Sequence, residues 1–238
     1  DERDVLVRQL TPFVQIDGSL LEFGQLKEPN RLIVLKEIEA VERSESHVSE
    51  IKRRNRIDGL LDQAKEAYGA GDAGRAIDIY GKTLEQDPEN ILAWLNMGNV
   101  LKGLKRFGAA EIAYKRTLEI NPFYLYGNIA LAQLYLASKE AQKALDVLRP
   151  VRKWHSGDRE VSLYMGLAFA FQKNADLAIK EFKNAIRIDP EFGLPYYYTG
   201  VQFFSSRPNI SKKNLKIFLV LSSKNPENRS LILKARQL

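Results

Sequence analysis

Proline recurs in this chain with a fixed stride. Pro88 and Pro122 lie 34 residues apart and Pro190 falls two strides further on, each after an acidic or amide residue: Asp87, Asn121, Asp189. Counting back from them divides the chain into blocks beginning at Ile57, Ile91, Leu125, Arg159 and Gly193. Self-similarity at a period of roughly 20 to 50 residues means a stack of supersecondary units, so this feature constrains the fold before any local motif does.

Small and large apolar positions recur in register. Ala76, Ala110, Ala144 and Ala178 share one position, and Tyr80, Tyr114, Leu148 and Phe182 stand four residues later. In the first half of the blocks Met97-Gly98 matches Met165-Gly166, with Leu131-Ala132 and Thr199-Gly200 in the same place, and bulky Trp94 and Tyr196 come three positions earlier. A small residue on one helix facing an alanine on its partner lets the two approach closely, while the aromatic fills the space beside them. Each pair leaves an apolar flank that only the next pair covers, so several must stack. Proline then ends the second helix. The prediction is an all-α solenoid of about five helix-turn-helix units over 57–90, 91–124, 125–158, 159–192 and 193–226. Residues 227–238 follow as a capping helix, with Leu231, Ile232 and Ala235 on the covering face.

The 34-residue period, the tryptophan-leucine-glycine-tyrosine pattern and the closing proline resemble the tetratricopeptide repeat (TPR). The likeness covers about 70% of the chain, and 91–124 and 159–192 match best. It implies a right-handed superhelix that acts as a non-catalytic scaffold or adaptor, holding a peptide or helix of another protein in a concave groove. In that family, positions 2, 5, 6, 9, 12 and 13 of each repeat face the groove. Carried onto this sequence, the register gives Asp58, Asp62, Lys65, Asn96, Asn99 and Lys102 in the first two repeats, and Tyr126, Ile129 and Gln133 in the third. It gives Leu163, Tyr164, Leu167 and Phe171 in the fourth, and Leu194, Tyr197, Tyr198, Val201 and Phe204 in the fifth.

The groove so drawn changes character along its length. Its first half is polar, and the side chains of Asn96 and Asn99 can donate to and accept from an extended peptide backbone. Its second half is aromatic and suits apolar anchors or an amphipathic helix. A surface this apolar can equally be covered by the chain's own first residues or by a second copy in a homodimer. The family's carboxylate clamp is not expected, because Leu61, Tyr126 and Ala130 stand where its cations belong.

Two departures from the pattern carry expectations of their own. The third block has Ser156 in place of the closing proline and Pro150 inside its second helix, which should shorten or kink that helix. The last block reads as having a longer turn at 205–211 before its second helix begins at Lys212.

Residues 1–56 give mixed signals. A short helical pattern over 1–10 ends at Thr11-Pro12, and the Asp17-Gly18 pair between Phe13–Ile16 and Ser19–Phe23 suits either a hairpin or a loop and helix turn. A helix opens after Pro29, with Ser44, Ser46 and Ser49 punctuating it near 43, and the helical pattern resumes from Val48. The basic run Lys52-Arg53-Arg54-Asn55-Arg56 lacks interleaved aromatics and has Glu50 and Asp58 beside it, so a solvated helix face is expected.

Other classes of function fall away. Absence of cysteine removes disulfides, thiolate metal sites and cysteine nucleophiles, and fits cytoplasm and periplasm equally. His47 and His155 lie in different elements, so neither a metal nor another cofactor is expected and no catalytic residues are assigned. Gly69-Ala-Gly71-Asp-Ala-Gly74 spells the dinucleotide fingerprint but sits on a turn between helices, without the strand that chemistry needs. The net charge of +6 is modest, which makes nucleic acid an unlikely partner; no apolar run approaches the roughly 20 residues of a membrane span. The chain opens on Asp1 rather than methionine, so it is expected to be a processed product or a piece of a longer enzyme or membrane-anchored protein.

Overall fold

The computed structural model describes residues 13–16, 19–22, 30–223 and 225–238. The helical pattern over 1–10 and the Asp17-Gly18 pair lie outside the described residues. Two strands, β1 (Phe13–Ile16) and β2 (Ser19–Glu22), pair antiparallel, with Phe13 opposite Glu22 and Ile16 opposite Ser19.

Helix α1 runs unbroken from Asn30 to Gly69, 40 residues or about 60 Å at the usual rise. The break expected at Ser44, Ser46 and Ser49 does not occur. An interior serine costs only about half a kcal/mol relative to alanine, and no glycine or proline stands between Asn30 and Asp58 to stop the ladder. The side chains of Lys52 to Arg56 are exposed, and Glu50 lies 3.6 Å from Arg53 and 3.4 Å from Arg54.

The chain forms two compact units, 1–59 and 60–238. The second is a solenoid of paired antiparallel helices. After the last turns of α1 come α2 (Ala73–Gln86), α3 (Ile91–Gly103), α4 (Phe107–Ile120), α5 (Leu125–Ala137) and α6 (Ala141–Trp154). Then follow α7 (Arg159–Phe171), α8 (Ala175–Ile188), α9 (Gly193–Phe203), α10 (Pro208–Ser222) and α11 (Arg229–Gln237). The stride of 34 is kept by the helix starts at Ile91, Leu125, Arg159 and Gly193 and by those at Ala73, Phe107, Ala141 and Ala175.

Close approach sets the pairing. Ala76, Ala110, Ala144 and Ala178 are all fully buried, as are Tyr114, Leu148 and Phe182 beside them. A Cβ on Gly98 would meet the Tyr114 ring at 2.5 Å, and one on Gly166 would meet the Phe182 ring at 2.5 Å. Neighbouring repeats are tied by a bond that reaches six residues back. The Trp94 indole donates to the Pro88 carbonyl at 2.8 Å, the Asn128 amide to Pro122 at 3.0 Å and the Tyr196 hydroxyl to Pro190 at 3.2 Å. In the fourth repeat, which no proline precedes, Ser162 holds that position, donates to the Asp158 carbonyl and accepts from Asn184.

Pro150 does not shorten its helix: α6 has the same 14 residues as α4 and α8. Pro150 is exposed, so the carbonyl left without its N–H partner is solvated rather than orphaned. The last repeat also differs from expectation. Helix α10 starts at Pro208, not Lys212, because proline fits the first helical position, where its missing N–H would have had no partner. Helix α9 is two residues shorter than α7, the following turn is one longer, and the buried Leu215 takes the place that Phe182 holds in α8. Behind it, Leu231, Ile232 and Ala235 of α11 pack on Tyr197, Leu215 and Phe218.

In the first four repeats the turn between the paired helices places one residue in the left-handed region; the turn between α9 and α10 does not. The four residues are Gly71 (φ 87°), Lys105 (59°), Lys139 (63°) and Lys173 (59°), again one stride apart.

Candidate partner-binding groove

The first helices α3, α5 and α7 are joined across their shared face by a side-chain ladder. Lys102 on α3 donates from Nζ to Oε1 of Gln133 on α5 at 2.9 Å, and Gln133 donates from Nε2 to the Tyr164 hydroxyl on α7 at 2.6 Å. Lysine has donors only, which fixes the Gln133 amide with its oxygen toward Lys102. Burial pushes the Lys102 ammonium below the usual lysine range. Burial, helped by Glu160, pushes the Tyr164 hydroxyl up to about 12.

The other candidates fall into distinct environments. Lys65 is exposed and paired with Asp62 on its own helix at 3.0 Å. Asn96 is half-buried, and Asn99 accepts a hydrogen bond from the Tyr114 hydroxyl at 2.8 Å, which fixes the amide with its oxygen toward Tyr114. Tyr126 is 61% exposed and meets Tyr124 edge-on, ring centroids 6.0 Å apart.

Leu167, Phe171, Tyr198 and Val201 line an apolar cavity of about 230 Å³ between α7 and α9. Phe171 is 52% exposed, Val201 40% and Phe204 44%, while Tyr198 stacks on the buried Phe182 ring at 5.9 Å. Tyr197 is not part of this surface. It packs on Phe218 at 5.1 Å and belongs to the core between α9 and α10. The same holds for its register mates Leu61, Leu95, Ile129 and Leu163, all buried. Position 5 points between the paired helices, whereas positions 6 and 9 point out to the groove.

A second, polar cavity of about 410 Å³ opens at the start of α7 and α9, where Glu160, Tyr164, Glu191, Leu194 and Glu227 meet. Burial first, and Asp158 second, raise the Glu160 carboxyl above the ordinary range. Nearby, Arg159 pairs with Asp189 and covers the Phe192 ring at 4.6 Å. Sequence reasoning missed both Glu160 and the ladder. A signal existed, since Lys102, Gln133 and Tyr164 hold positions 12, 9 and 6 of successive repeats and so step back one helical turn per repeat.

Among the described residues no group of three His, Cys, Asp or Glu side chains could hold a metal ion, and no helix is long and apolar enough to cross a membrane.

Residues 67–126 match the family described as tetratricopeptide repeat. The array has the tetratricopeptide-repeat fold. The TPR protein TTC0263 of Thermus thermophilus superposes with a TM-score of 0.65 at 18% identity, over 76% of this chain and 100% of that one. Among characterised proteins, the bimA protein of Emericella nidulans is 29% identical over 100 residues, 41% of this chain and 12% of its own length. Anaphase-promoting complex subunit CDC16 of Saccharomyces cerevisiae is 24% identical over 150 residues, 62% of this chain and 18% of its own length. The chain thus spans less than a fifth of either relative.

Proposed function

We propose that this chain is a non-catalytic adaptor that holds a peptide or short helix of a partner protein against the inner faces of α3, α5, α7 and α9. The observation that carries the reading is the apolar cavity between α7 and α9, rimmed by Phe171 and Val201, which are roughly half exposed. Large apolar side chains gathered in a concave site, beside a few placed polar groups, are the usual make-up of a binding surface. That one relative bears the name of a subunit of a large complex agrees with this role. The relatives are far longer than this chain, which also agrees with an accessory TPR region inside a larger protein.

Selection from a random-peptide display library on the full chain tests the reading. Peptides should be recovered that bind the wild type and lose binding to Phe171→Ser and Val201→Ser, both exposed enough to leave the fold intact. Recovery of no binder, or of binders indifferent to both substitutions, overturns it. A homodimer through the aromatic half would instead appear in sedimentation as an association that Phe171→Ser abolishes.

A further inference from the structure

A cavity of about 440 Å³ lies between the end of α9, α10 and α11, and of the groove candidates only Phe204 reaches it. Phe204, Leu215 and Leu219 give it an apolar floor, while Lys212, Lys216 and Arg236 stand around it with their side chains exposed. Among the described residues no acidic side chain lines it, and none of the three cations makes an ion pair. Lys212 and Lys216 are one turn apart on α10, where like charges repel. From Phe192 onward the sequence has eight basic residues and one acidic residue, Glu227, so this end carries all of the net charge of +6.

Ser211 supplies an independent observation. It lines the same cavity and takes the place that Ala178 holds one repeat earlier: Gly200 faces the Ser211 carbonyl at 3.3 Å as Gly166 faces that of Ala178 at 3.2 Å. The other four repeats have alanine there, yet Ser211 is 2% exposed and its hydroxyl has no hydrogen-bond partner among the described residues. Alanine would avoid the cost of an unbonded buried hydroxyl, and an arriving acceptor oxygen would remove it.

We propose that this cavity binds a phosphomonoester carried on an apolar chain, with the phosphate held by Lys212, Lys216, Arg236 and the Ser211 hydroxyl and the chain laid on Phe204, Leu215 and Leu219. A carboxylate brings one charge and two oxygens, whereas a phosphomonoester brings nearly two charges and three acceptor oxygens, enough for two ammonium groups and a guanidinium fork. The volume is at the lower end for small-molecule sites, which suits a headgroup and a short apolar stretch rather than a helix of a partner. The site is separate from the peptide groove and does not depend on that reading.

Calorimetry on the full chain with octyl phosphate, inorganic phosphate and octanoate tests the proposal. Octyl phosphate should bind, and the other two should bind at least about tenfold more weakly, one for want of the tail and the other for want of charge. Its binding should tighten as pH rises from about 5 to about 7, because the ligand loses its second proton near pH 6 while lysine and arginine keep theirs. Lys216→Gln and Arg236→Gln should each weaken it about tenfold with helicity unchanged in circular dichroism. Ser211→Ala, the residue type of the other repeats, should weaken it while raising the urea midpoint. Flotation with phosphatidylcholine vesicles carrying phosphatidic acid or, at equal charge, phosphatidylserine identifies the source. Capture by phosphatidic acid alone means a bilayer lipid; capture by neither, with octyl phosphate still bound, means a free phosphate amphiphile. Octanoate binding as well as octyl phosphate, equal capture by both kinds of vesicle, or octyl phosphate binding indifferent to both charge substitutions overturns the proposal. Absence of any octyl phosphate binding and of capture by phosphatidic acid overturns it too, and peptide binding in the groove is unaffected by either result.

Discussion

Gly98 lies so close to Tyr114 that a methyl group on its α-carbon would sit 2.5 Å from the ring, and the ring has no room to retreat because Tyr114 is fully buried. Gly166 repeats the relationship against Phe182 and adds the Ala178 backbone carbonyl at 3.2 Å. Alanine in a helix interior gains about 1 kcal/mol over glycine, and overpacking a tight core costs about 1–3 kcal/mol. Gly98→Ala and Gly166→Ala should each be net destabilising. Gly166→Ala should be the worse, since backbone yields less than a ring edge; urea denaturation of the two variants checks the order.

The three left-handed lysines run the other way. Lys105, Lys139 and Lys173 sit at φ near 60°, where a Cβ costs about 1–2 kcal/mol that glycine does not pay. Glycine's extra freedom in the unfolded chain returns about 0.4–1 kcal/mol of that gain. Each Lys→Gly exchange should therefore stabilise by about half a kcal/mol, and Gly71→Ala should destabilise. Thermal melting of the triple variant against wild type reads the sum.

Tyr197 and Tyr198 are neighbours in sequence and opposites in environment. Tyr197→Ser removes a ring packed on Phe218 and should cost about 3–5 kcal/mol, the usual range for emptying an aromatic site. Tyr198→Ser opens the groove wall and should cost less stability while weakening binding more. Paired denaturation and peptide-binding measurements separate the two roles; equal losses of stability would contradict the assignment.

Acid should act on two carboxylates in opposite directions. Arg159 holds the Asp189 carboxyl below its usual range, so the stability it contributes is present above the unfolded aspartate pKa and is lost as pH falls through the folded one. Glu160 is raised by burial, so it binds its proton more tightly folded than unfolded, and stability falls as pH rises from the unfolded value to the folded one. Asp189→Asn should flatten the acid limb of the stability curve. Glu160→Gln should raise stability at neutral pH and steepen that limb, which urea midpoints from pH 3 to pH 7 would show.

The sequence by itself determined the repeat. Prolines at a stride of 34, alanines and aromatics in register, and glycines opposite them specify helix pairs that must stack, because each rule is local and recurs. It misplaced a break in α1 and a turn before α10, where a serine proved too weak a helix breaker and a proline served as a helix start. Only the tertiary structure decided which of the groove candidates lie open and which are buried. Tyr197 and Tyr198 are indistinguishable by composition, and their fates differ because one points between α9 and α10 and the other toward α7. The ladder of Lys102, Gln133 and Tyr164 joins residues 31 apart, so it is legible in the sequence only by comparing positions 12, 9 and 6 of successive repeats. It exists because stacking turns each first helix slightly against the last, and that offset brings three unrelated side chains into one line.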